Sequence, residues 1–70
     1  MIQLYYTMPY STEDKLAAIE REIAYRRRVY PRLIAEGKLS QFQADRQIAI
    51  MVEISADYVA KIKGEDLFGG

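Results

Sequence analysis

The chain contains no cysteine, histidine, tryptophan or asparagine. Without cysteine or histidine there is no thiol nucleophile, no disulfide, no zinc-finger ligand set and no imidazole to carry protons near neutral pH. An excess of one charge is also missing. Ten Lys and Arg balance ten Asp and Glu, so the formal net charge is zero. No apolar run is long enough to span a bilayer, and no signal-peptide pattern opens the sequence. Seventy residues suit one small domain and exclude a two-domain enzyme. No nucleophile constellation or general base is visible, so an enzyme is not expected, and no cofactor or metal is expected either. A cytoplasmic binding protein is the expectation that remains.

Size sets a second limit. A domain this short buries only about 60% of the surface its unfolded chain exposes. A lone core of this size rarely supplies more than roughly 3–5 kcal/mol. With disulfides and metals excluded, oligomerisation or docking on a partner is the natural route to stability.

Residues 1–10 alternate like a strand, with Ile2, Leu4, Tyr6 and Met8 on one side and Gln3, Tyr5 and Thr7 on the other. They read as an extended, tyrosine-rich arm. A first helix is expected over 12–36. Ser11 and Asp14 come close to a capping box, and Glu13 and Asp14 suit the positive end of the helix dipole. Its apolar face is Leu16, Ile19, Ile23, Tyr30, Leu33 and Ile34, with Arg26 in the missing seam position. Pro31 either breaks this helix at Tyr30 or kinks it. The apolar face keeps its phase across Pro31, which favours the kink. Gly37 is the expected C-terminal cap.

A second helix is expected over 40–63. Ser40 and Gln43 make a capping box, Leu39 is placed as a hydrophobic staple, and Gly64 is the expected stop. Its apolar arc holds Ala44, Ile48, Ile50, Met51, Val52, Ile54, Tyr58, Val59 and Ile62. That arc spans about 200°, twice what one neighbouring helix needs. The short turn makes the helices antiparallel neighbours, pairing Ile34 with Ala44 and Tyr30 with Ile48. The fold expected is all-α: a helical hairpin over 11–63 with an extended N-terminal arm and a flexible tail over 64–70. Ile50, Ile54 and Val52 are left uncovered. They are the expected homodimer interface, giving a four-helix arrangement. The plainer alternative folds the arm back over that band.

Candidate contact residues follow from residue type. Tyrosine and arginine dominate binding hot spots. Tyr5, Tyr6, Tyr10, Tyr25 and Val29, with Arg28 and Arg32, form the candidate partner surface. The plainer alternative is arm-on-helix packing. Arg21, Arg28 and Arg32 fall on one side of the first helix and could meet phosphates. The plain alternative is a solvated face with local pairs, Glu22 with Arg26 and Arg32 with Glu36. Arg26, in the seam, is expected to pair with Glu53 or Asp57 or to snorkel outward. Glu53 and Asp57 themselves lack further ligands for a cation.

Two resemblances add context. Residues 22–51 resemble a segment of small phage- and prophage-encoded proteins, with an arginine run, Val-Tyr-Pro, a Gly-Lys turn and an Ala-Asp second helix. The matching residues are Arg26 to Arg28, Val29–Tyr30–Pro31, Gly37–Lys38 and Ala44–Asp45. The resemblance implies a phage origin, a bacterial host cell and no particular chemistry. Asp66, Leu67 and Phe68 resemble the end of the peptide by which bacterial proteins bind the replication sliding clamp. Gly64 and Glu65 depart from that peptide's glutamine and aliphatic positions. The leading expectation is a phage accessory protein that binds and inhibits a bacterial host protein by occlusion. The alternative is a nucleic-acid-associated factor, acting through the arginines or through the DLF tail.

Overall fold

A computed structural model describes the backbone of residues 10–69 and the side chains of residues 10–64. The arm expected over 1–10, with Tyr5 and Tyr6, lies outside the described residues except for Tyr10. The rest is two helices, α1 (Thr12–Ala35) and α2 (Gln41–Gly69), packed as a hairpin, with no strand among the described residues.

Local chemistry explains where each helix begins. Ser11 caps α1: its Oγ accepts the Asp14 N–H at 3.0 Å, and Asp14 Oδ2 accepts the Ser11 N–H at 3.4 Å. Ser40 does the same for α2, its Oγ accepting the Gln43 N–H at 3.0 Å while Gln43 Oε1 accepts the Ser40 N–H at 3.2 Å. Each box satisfies donors that a helix start leaves orphaned.

The end of α1 is equally explicit. The Lys38 N–H donates to the Leu33 carbonyl at 2.9 Å and the Gly37 N–H to the Ile34 carbonyl at 3.0 Å. Together these are the paired bonds of a Schellman motif. The residue between them must turn left-handed, and Gly37 does so at φ +75°. The helix therefore reverses within a few residues.

Pro31 sits inside α1 without ending it. The alternative of a break at Tyr30 is not what forms. Pro31 brings no N–H for the Arg27 carbonyl, yet the apolar face on both sides of it packs on α2, and that packing holds the helix together.

One boundary needs correction. Gly64 does not stop α2, which runs through to Gly69. A helical glycine costs only roughly 0.5–1 kcal/mol relative to alanine. Among the described residues no left-handed turn follows it to force an end. The tail expected to be flexible over 64–70 thus has a helical backbone over 64–69.

The seam between the helices is shallow. Only Ala44, at 3% exposure, and Met51, at 9%, are buried among the described residues. Leu16, Ile19, Ile23, Leu33, Ile34, Ile48, Ile54, Tyr58 and Ile62 are half-buried. The chain measures 15 Å along its shortest axis, which is one layer of helix.

The two glycines give a paired prediction. Gly37→Ala forces a side chain into left-handed backbone and lowers stability by about 1 kcal/mol. Gly64→Ala meets nothing within 4 Å and raises stability by roughly 0.5–1 kcal/mol. Urea unfolding followed by circular dichroism reads both. A loss at Gly64 would mean that the glycine terminates the helix after all.

Candidate functional site

Three consecutive arginines take three different directions, because neighbours on a helix are turned by about 100°. Arg26 points into the seam. Its Nε donates to Glu22 Oε2 at 2.7 Å, and its Nη1 donates to the Tyr30 hydroxyl at 3.1 Å and to Gln47 Oε1 at 3.2 Å. The Tyr30 hydroxyl in turn donates to Gln47 Oε1 at 2.6 Å. The hydrogen bond to Glu22 first, and that to Tyr30 second, hold the guanidinium more firmly charged than usual. Its partners are therefore Glu22, the local pair expected from the i,i+4 spacing, with Tyr30, and Gln47 across the seam in place of Glu53 or Asp57.

Gln47 was missed in the sequence, though a signal was present. Ala44, Gln47, Met51, Ile54 and Tyr58 follow heptad steps along α2. Gln47 is the polar gap in that series, as Arg26 is the gap in α1. The two gaps meet, so each satisfies the other.

Arg27 points to one flank of the hairpin, onto a groove of about 870 Å³. The groove runs between the helices over Tyr30, Ile34, Ala44, Ile48 and Val52, with Arg27 and Pro31 on the α1 side and Asp45 and Glu53 on the α2 side. Tyr30 and Ile34 thereby lie along the same groove as Ala44 and Ile48, as the pairing from the turn requires.

Arg28 points to the back of α1, where its guanidinium sits 5.4 Å from the centre of the Tyr25 ring. That is a cation–π distance. Arg21, Arg28 and Arg32 are all exposed and lie within about 40° of one another on this face. Arg32 also complements the negative end of α1. The Arg32–Glu36 pair does not form; Glu36 meets Lys38 instead, at 3.3 Å.

The expected dimer residues are split. Ile50 is 43% exposed and Val52 40%, so both are uncovered as anticipated. Two residues apart on a helix, they point about 160° from each other. Val52 lines the groove. Ile50 and half-buried Ile54 lie on the opposite flank, with half-buried Val29 from α1 on that same side. Tyr25 is 50% exposed. A further exposed aromatic, Phe42, at 75% exposure in the first turn of α2, went unnoticed because it falls outside the apolar arc. Tyr10 borders a shallow depression with Asp14, Lys15 and Arg21.

Asp66, Leu67 and Phe68 fall in the last turns of α2, so binding as an extended peptide would require those turns to unwind. Glu53 and Asp57 are exposed, and no acidic group among the described residues could hold a metal ion. No helix among the described residues is long and apolar enough to cross a membrane. Compared with family models, curated proteins and solved structures, the chain matches none.

The seam network generates a prediction. Gln47→Leu strips Tyr30 and Arg26 of their shared acceptor and costs about 1 kcal/mol. In the double variant Arg26→Leu/Gln47→Leu the two losses are less than additive, because they belong to one network. A double-mutant cycle by urea unfolding measures this. Strict additivity would show that the two residues act separately.

Proposed function

We propose that this chain is a protein-binding module that modulates a bacterial host protein by covering part of its surface. What supports the reading is exposed surface of two kinds, Tyr25 with Arg28 over its ring on the back of α1 and uncovered Ile50 on α2. It combines the residue types that dominate binding hot spots with apolar area that the hairpin leaves uncovered. The resemblance of residues 22–51 to small phage- and prophage-encoded proteins supplies the bacterial setting. Occlusion needs only such a patch and no catalytic machinery. The module works as a homodimer, since one layer of helix buries too little on its own.

The test is affinity capture from nuclease-treated bacterial lysate, comparing the wild type with Tyr25→Ala. One stoichiometric host protein, held at least tenfold more weakly by Tyr25→Ala, is expected. Equal capture by both proteins would remove Tyr25 from the interface.

The exposed strip of Arg21, Arg28 and Arg32 supports a second reading, contact with nucleic-acid phosphates. The two readings part on salt. Phosphate contact gives an affinity that falls steeply between low and physiological salt. An apolar and aromatic anchor gives little change. Fluorescence anisotropy with duplex DNA across a salt series decides, and weak salt-insensitive binding would end the phosphate reading.

A further inference from the structure

We infer that the groove between α1 and α2 is the homodimer interface. It is closed by a second copy of this chain related by a two-fold axis running along the helices. The inference rests on the dimer reading above and goes further by assigning the face and the symmetry.

The first support is burial. A domain needs a second layer to enclose a core, and among the described side chains only Ala44 and Met51 are buried.

The second support is the composition of the groove. Its floor is apolar, from Ile34, Ile48 and Val52, and exposed Ala49 is small enough to let another helix approach closely. Its two sides carry opposite charge, Arg27 on α1 and Glu53 on α2. Among the described residues these two make no ion pair within the chain.

Charge then selects the symmetry. Two hairpins can stack groove to groove by either of two two-fold axes. An axis across the helices lays α1 on α1 and α2 on α2, setting like charges on the same side. An axis along the helices lays α1 on α2 and keeps each residue at its own height. Tyr30 is level with Ile48, so Arg27 is level with Met51 and stands about 3 Å from the height of Glu53. In that arrangement Arg27 of each copy faces Glu53 of the partner subunit, twice over. Tyr25 and Ile50 stay outside the four-helix bundle and remain open to a different protein.

The experiment is sedimentation equilibrium on the full chain, with helix content checked by circular dichroism. The wild type is expected to be a dimer. Arg27→Glu and Glu53→Arg each turn two attractions into two repulsions and raise the dimer dissociation constant roughly tenfold, and the double reversal restores it. Val52→Asp yields a folded monomer and Ile50→Asp remains a dimer. Should Val52→Asp fail to fold, the charge reversals decide alone. A monomeric wild type overturns both the dimer and this inference. A dimer broken by Ile50→Asp but insensitive to Val52→Asp and to the charge reversals keeps the dimer and overturns the groove. A dimer weakened by the reversals but not rescued by the double variant overturns the symmetry.

Discussion

Burial is the constraint on which the rest of this structure depends: among the described side chains only Ala44 and Met51 are closed off from water. Two helices laid side by side make contact along a line, and each presents most of its circumference elsewhere. Stability in a small domain comes chiefly from apolar area removed from water. A seam of mostly half-buried residues removes little of it. The apolar residues that the seam cannot reach, Ile50 on one flank and Val52 on the other, are thus available to other chains.

A shallow seam also has little to fix its register, and that is where Arg26, Tyr30 and Gln47 matter. Apolar residues pack against one another in several alignments. Hydrogen bonds among three side chains are satisfied in one. A single polar position in an otherwise apolar seam is a known way of specifying register. Here the polar positions are two, one on each helix, and they meet across the seam. The capping boxes at Ser11 and Ser40 and the left-handed turn at Gly37 then set where the helices start and reverse. Arg27 and Glu53 line opposite sides of the groove beside that seam.

Much of the hairpin was legible in the sequence. Caps depend on residues within three or four positions of one another, so Ser11, Ser40 and Gly37 announced themselves. The all-helical hairpin followed from the apolar phase and the short turn. Other features were not legible. The cross-helix partner of Arg26 was not Glu53 or Asp57, the obvious countercharges, but neutral Gln47, while its i,i+4 pair with Glu22 was expected and forms. That Val52 and Ile50 face different ways was not legible from the width of the arc alone, because an arc of about 200° on a wheel has two edges facing opposite ways. Gly64 misled because glycine is a helix stop only where a left-handed turn is wanted.

The sequence by itself determined the elements: two helices, their caps, the reversal at Gly37 and an excess of apolar surface beyond what one neighbour could cover. These depend on local chemistry and periodicity, which a linear order of residues contains. The tertiary structure decided which flank each uncovered residue occupies. It also decided which of three adjacent arginines is spent in the seam, which faces the groove and which lies over Tyr25. Those outcomes depend on the rotation of one helix against the other. That angle is set by side chains distant in sequence packing and hydrogen-bonding across the seam, and no residue carries it alone.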